Sequence, residues 1–195
     1  MTVIIPMRAL VILHPRFEEI EAITPMDLLS RAGVEVVSAS TSSDRFVTGR
    51  SSITLQADTL FSQIADEAFD AILLPGGPGI QAIRKHAQLC NRLQRQHTEG
   101  KWIACICAAP LLLHDSGLLQ EETHYTCHPS AEEELGRSAK TDEVVIDSPI
   151  LTARGAGNSL EFGLQLIAQL CNPAKAEAIA ASICYENKSL PVEKE

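Results

Sequence analysis

The segment Lys101-Trp102-Ile103-Ala104-Cys105-Ile106-Cys107-Ala108-Ala109-Pro110, continuing as Leu111-Leu112-Leu113, decides how this chain is read. Residues 103–106 are apolar on both faces, as in a buried parallel strand, whereas Ala108 onward favours a helix with Pro110 in its first turn. Strand and helix therefore meet at Cys107. Such a corner thrusts one side chain out at the carboxyl end of the sheet, where helix N–H groups can stabilise a thiolate or an oxyanion. An apolar strand with cysteines is also ordinary core, so the corner alone does not separate a nucleophile from filler.

Working outward, the clearest other strand is Asp70 to Leu74, which ends in Pro75-Gly76-Gly77-Pro78-Gly79. Glycines there let backbone approach backbone or ligand closely, although a plain tight turn explains them equally well. Ala9 to Leu13 forms the first apolar strand, and His14-Pro15-Arg16-Phe17 leads into the acidic helix start Glu18-Glu19-Ile20-Glu21. The helix is expected over residues 18–32, with Ile20, Ile23, Met26, Leu28 and Leu29 inward, a kink at Pro25 and a stop at Gly33. Glu21 sits beside the inward positions, near the loop end of the first strand.

Val34 to Ala39 reads as a second strand, Asp44 to Asp58 as a small hairpin or edge addition, and Leu60 to Ala65 as a short helix. Ile80 to Glu99 is predicted helical, with Gln81, Arg84, Lys85 and Arg92 outside. His124 to Cys127 is predicted as a short strand ending at His128-Pro129, after which Ser130 caps a helix over 131–135. Two late strands (144–146 and 150–153), a loop at 154–159 and helices at 160–170 and 174–185 complete the pattern. Strands that are apolar throughout and alternate with helices imply an α/β fold with a mainly parallel sheet covered on both faces.

Composition narrows the function classes. The chain has 195 residues, 45% hydrophobic and 21% charged, without repeats or low-complexity segments, as expected of a single domain over 1–195 with a loose tail at 189–195. A net charge of −9 with scattered basic residues excludes a nucleic-acid or anionic-membrane partner. Neither an export signal nor a spanning run is expected, which points to the cytoplasm. The six cysteines then read as free thiols, and the spacing of Cys105 and Cys107 does not suit a metal knuckle. Cys90, Cys171 and Cys184 fall in helical patterns and read as core or helix-face residues.

Three polar residues collect at the carboxyl ends of strands: Glu21, Cys107 and His128. A carboxyl, a thiol and an imidazole at one rim make an acid-base and nucleophile set. With these residues in place, five ordered motifs resemble the ThiJ/PfpI superfamily, in the branch of the parkinsonism-associated deglycase and its bacterial relatives. They are Glu18-Glu19-Ile20-Glu21 with Pro25 and Asp27, Leu74-Pro75-Gly76-Gly77, Ala104 to Pro110, His128-Pro129, and Arg154-Gly155-Ala156-Gly157 with Glu161-Phe162-Gly163.

The resemblance implies a flavodoxin-like doubly wound fold that forms a homodimer. It implies Cys107 as the elbow cysteine, a protonated Glu21 carboxyl bonded to its sulfur, and His128 close by. It further implies oxyanion donors at Gly76, Gly77 and Ala108, with Arg31 and Arg50 gathering anions at the dimer boundary. Ala108 stands where the peptidase branch has His, and Ser130 where glutamine amidotransferases have an acid, so neither of those activities is expected. Cys105 and Cys127 either fill space or resolve an oxidised Cys107.

The expected function is a cofactor-free, metal-free cysteine enzyme acting on reactive carbonyls such as methylglyoxal or on glycated protein. The alternative is a redox sensor or chaperone whose Cys107 is oxidised without turnover.

Overall fold

The computed structural model describes residues 6–135 and 143–186; the expected tail at 189–195 lies outside them. Among the described residues nine strands occur in order: β1 (Arg8–Leu13), β2 (Glu35–Ser40), β3 (Phe46–Thr48), β4 (Thr54–Gln56), β5 (Thr59–Leu60), β6 (Ala71–Leu74), β7 (Trp102–Ile106), β8 (Val144–Asp147) and β9 (Ile150–Ala153). Seven form one sheet in the order β5-β2-β1-β6-β7-β9-β8, parallel except for β8, while β3 and β4 pair as a separate antiparallel hairpin. The helices are α1 (Glu19–Arg31), α2 (Phe61–Ile64), α3 (Ile80–Ile83), α4 (Ala87–Thr98), α5 (Pro110–Asp115), α6 (Pro129–Leu135), α7 (Ser159–Leu170) and α8 (Pro173–Ser182).

Strand alternation divides the core in two. Ala9, Val11, Leu13, Ala104 and Ile106 face a layer made by α1, α7 and α8, whereas Leu10, Ile12, Ile103 and Cys105 face α2 and α4 to α6. This two-sided burial explains why β1, β6 and β7 read as unbroken apolar runs. The chain leaves β1 for β2 on one side and returns at β6 on the other. α1 and the α3–α4 segment therefore diverge to opposite faces, and a crevice opens at the carboxyl ends of β1, β6 and β7.

Several expectations need correction. Ile20 and Ile23 are 54% and 41% exposed; the inward stripe of α1 is Glu21, Ala22, Pro25, Leu28 and Leu29. α1 continues through Pro25, which packs against Gly163 of α7. The expected long helix over 80–99 is two helices, because the His86 ring caps a new start by accepting from the Leu89 N–H (3.3 Å).

Arg92, expected outside, is buried. Three α4 side chains hold the α2–β6 connection by its carbonyls: Arg95 to Ala65 (2.7 Å), Arg92 to Glu67 (3.3 Å) and Gln96 to Phe69 (3.1 Å). Residues 124–127 form no strand, since side chains satisfy their backbone; the His124 N–H meets Asp147 and the Thr126 N–H meets Thr152. α6 begins at Pro129, so Ser130 lies inside its first turn rather than at the cap. Cys171 and Cys184 are exposed just beyond the ends of α7 and α8.

The α1–α7 contact fixes the first layer at close range. A Cβ on Gly163 would stand 2.7 Å from Leu28 Cδ1 and 3.1 Å from Pro25 Cα. In an open helix, Gly→Ala gains about 1 kcal/mol. Here Gly163→Ala is expected to lose about 1–3 kcal/mol through overpacking, read by urea unfolding; a gain would mean that α1 and α7 do not meet this closely.

Candidate active site

Cys107 directly follows β7 and has φ +64°, a left-handed conformation that a non-glycine residue adopts only when its surroundings impose it. Its N–H donates to the Ala153 carbonyl (2.9 Å) and its own carbonyl accepts from the His128 N–H (2.9 Å). The corner is thereby pinned to β9 and to the start of α6. Helix α5 begins three residues later with Pro110 at its first position, as the sequence predicts.

Glu21 approaches the thiol from α1, one turn inside the helix. The Glu18 carboxylate caps that turn by accepting from the Glu21 N–H (2.9 Å), and the Glu18 N–H donates to Gly76 O (3.0 Å). Glu21 Oε2 accepts from the Gly76 N–H (2.8 Å), and the carboxyl also hydrogen-bonds the Cys107 sulfur. The arrangement leaves no room at the glycines. A Cβ on Gly76 would meet Cys107 Cβ at 2.7 Å and Glu21 Oε2 at 2.9 Å; one on Gly77, at φ +104°, would meet Arg16 O at 2.6 Å.

Backbone donors divide between the two groups. The Gly76 N–H serves Glu21, whereas those of Gly77 and Ala108 face the Cys107 sulfur. Burial first, then the Glu18 charge, pushes the Glu21 carboxyl up to about 7, against the pull of the Gly76 N–H. Burial and then the Glu21 charge push the Cys107 thiol up to about 12, opposed by the Gly77 and Ala108 donors. Ionisation of either group opposes ionisation of the other, so thiol and carboxyl hold one negative charge between them. Cys105, wholly buried, is pushed up by burial alone, and Cys127 rises to about 11 through burial and then Glu132.

A cavity of about 290 Å³ opens over the corner, lined by Arg50, Gly77, Gln81, Cys107, His128 and Ser130 among others. Arg50 is exposed at its rim, yet its charge reaches Glu21. The turn that carries it is anchored by Glu19, whose Oε1 accepts from the Ser51 N–H (2.7 Å), and by the Arg50 N–H on Phe17 O (2.8 Å). The fold thus gathers Cys107, Glu21, His128, Gly76, Gly77, Ala108 and Arg50. Within the single chain Arg31 lies ten residues along α1 from Glu21, about 15 Å at the helical rise, and pairs with Asp27 (2.6 Å).

Sequence reasoning missed His14, fully buried at the end of β1, whose ring nitrogens lie 3.2 Å from the Pro15 and Pro75 carbonyls and tie the two loops together. A histidine directly after an apolar strand was the available signal. Among the described residues no group of His, Cys, Asp and Glu could hold a metal ion, and no helix is long and apolar enough to cross a membrane.

A profile of the DJ-1/PfpI family matches residues 7–169, and the chain belongs to that family. It is 37% identical over 169 residues to the DJ-1 homolog B of Arabidopsis thaliana, covering 85% of this chain and 39% of that protein. The chain thus spans about two fifths of that relative's length. It is 30% identical over 180 residues to a Caenorhabditis elegans protein named glutathione-independent glyoxalase DJR-1.2 (90% and 95% coverage), and 30% identical over 155 residues to a Pyrococcus abyssi protein named a deglycase (78% and 92%). The structure of oxidized Toxoplasma gondii DJ-1 superposes with a TM-score of 0.87 at 35% identity, over 93% of this chain and 100% of that one.

The raised Glu21 carboxyl makes stability depend on pH in a definite direction. From its ordinary value of 4.5 to about 7 the folded chain holds a proton that the unfolded chain has released. Its stabilising contribution is complete below 4.5 and lost as pH rises through 7. The stability of wild type relative to Glu21→Gln, from urea unfolding at each pH, is expected to fall by about 3 kcal/mol between pH 4.5 and 8; a difference that does not change with pH would refute the assignment.

Proposed function

We propose that this protein is a cofactor-free cysteine enzyme that converts reactive α-oxoaldehydes, free or as early adducts on protein, with Cys107 as nucleophile and Glu21 as acid-base group. The observation that carries this reading is the hydrogen bond between a buried carboxyl raised to about 7 and a thiol on a strained corner, beneath an open cavity. Such a carboxyl can both take and give a proton near neutrality. The relatives named glyoxalase and deglycase support the choice of substrate class.

The steps follow from the geometry. Cys107 Sγ adds to the aldehyde carbon while the thiol proton rests on Glu21, which then protonates the new oxygen to give a hemithioacetal. The Glu21 carboxylate removes the hydrogen from that carbon to give an enediol, the hydroxyl proton passes to the neighbouring oxygen, and Glu21 returns its proton to the neighbouring carbon, leaving a thioester beside a hydroxyl. Water cleaves the thioester to lactate and restores the thiol. The Gly77 and Ala108 N–H groups stabilise charge at the corner, and the cavity over it has space for a small oxoaldehyde.

A homodimer fits the exposed apolar side chains Ile20 and Ile23 of α1 and Phe46 and Ile53 of the β3–β4 hairpin, 41–60% exposed in the single chain. The second reading, a redox sensor, is favoured by one observation: Cys107 is half-buried while Cys105 and Cys127 are wholly buried, so Cys107 is the accessible thiol of the three.

Lactate formation from methylglyoxal without glutathione is the test. Cys107→Ala is expected to abolish turnover and Glu21→Gln to reduce it at least a hundredfold, with both variants folded. A wild type that makes no lactate but gains two oxygens at Cys107 under mild peroxide would favour the sensor instead. For the dimer, Ile20→Asp with Ile23→Asp is expected to halve the mass seen by sedimentation equilibrium; a monomeric wild type would exclude it.

A further inference from the structure

His128 differs from Cys107 and Glu21 in that its neighbours define which nitrogen carries its proton. Nδ1 lies 3.2 Å from the Ser130 backbone nitrogen and 2.8 Å from Ser130 Oγ. A backbone N–H can only donate, so Nδ1 must offer its lone pair. Were the proton on Nδ1, two N–H groups would confront each other at this distance. The hydroxyl can turn either way and adapts. The backbone of His128 is held as well, since its N–H donates to Cys107 O and the Ala131 N–H closes the turn onto His128 O (2.8 Å).

We infer that His128 serves the site as a neutral hydrogen-bond donor, its proton fixed on Nε2 by the Ser130 backbone N–H, and not as a proton acceptor. With Nδ1 engaged, Nε2 is the polar ring atom left to meet a molecule in the cavity that His128 lines with Cys107. The inference rests on the proposed carbonyl chemistry for what is bound, but the tautomer stands on the hydrogen bonds alone.

Its consequence is a division of labour. Glu21 alone moves protons, while His128 polarises the substrate carbonyl or steadies the oxygen that becomes negative when Sγ adds. Ser130 is then a positioning residue acting through the ring. In acid-histidine-cysteine triads a carboxylate accepts from Nδ1–H and leaves Nε2 as a base. Here a backbone N–H meets Nδ1 instead and enforces the opposite tautomer, so cysteine and histidine carry a different chemistry.

Long-range proton–nitrogen NMR of the full chain labelled at histidine, with the His128 signals identified by their loss in His128→Gln, reads the tautomer without any assay of activity. An unprotonated Nδ1 and a protonated Nε2 are expected; a protonated Nδ1, or averaging between tautomers, overturns the inference. Ser130→Ala keeps the backbone N–H and is expected to leave the proton on Nε2; a shift to Nδ1 in that variant would also overturn the inference.

Kinetics supply a second arm. Gln places an amide N–H near the position of Nε2–H, so His128→Gln is expected to retain methylglyoxal turnover within about fivefold, while His128→Ala loses tenfold or more. Equal loss in both would make His128 a base and sink the proposal. If wild type proves inactive on carbonyls, the proposed function fails and the NMR arm still decides the tautomer.

Discussion

The structure around the crevice depends on one constraint: a buried carboxyl and a half-buried thiol are placed in contact and can hold only one negative charge. Burying two charges side by side is prohibitive, so the pair must retain a proton near neutrality. Everything nearby serves that arrangement. Gly76 brings its N–H to one carboxyl oxygen, and the absence of a Cβ there lets Glu21 and Cys107 approach from either side.

Three loops from different parts of the chain have to interlock for this contact to exist. The loop after β1 and the glycine loop after β6 are joined by Glu18 N–H to Gly76 O, by Gly79 N–H to Arg16 O, and by the His14 ring between two carbonyls. The corner after β7 is held in turn by Ala153 and His128. Parallel strands deliver these loops to one edge because their carboxyl ends all point the same way, and the reversal between β1 and β6 leaves the space between them open. Such loops are fixed from both ends, which is how a strained φ at Cys107 can persist.

The acidic start of α1 illustrates how neighbouring residues of one type take different work. Glu18 caps the helix, Glu19 anchors the Arg50 turn, and Glu21 meets the sulfur. All three are buried, although a glutamate run at a helix start ordinarily faces solvent with the dipole as its only partner. Separate backbone donors, each aimed at one carboxylate, offset the cost of their burial.

The layered α/β architecture, the parallel strands, the corner at Cys107 and the convergence of Glu21 and His128 on it were legible in the amino-acid order. Each follows from local pattern, because an apolar run buried on both faces and a strand-to-helix switch are written in consecutive residues. Only the tertiary structure decided which stripe of α1 turns inward. Ile20 and Glu21 exchange the roles that hydrophobicity assigns them, since an interior and an apolar outer face look alike in sequence. The burial of Arg92 was hidden as well, for its carbonyl partner is 25 residues distant. The shared charge of Glu21 and Cys107 depends on burial and on donors brought from other loops, which no local pattern carries.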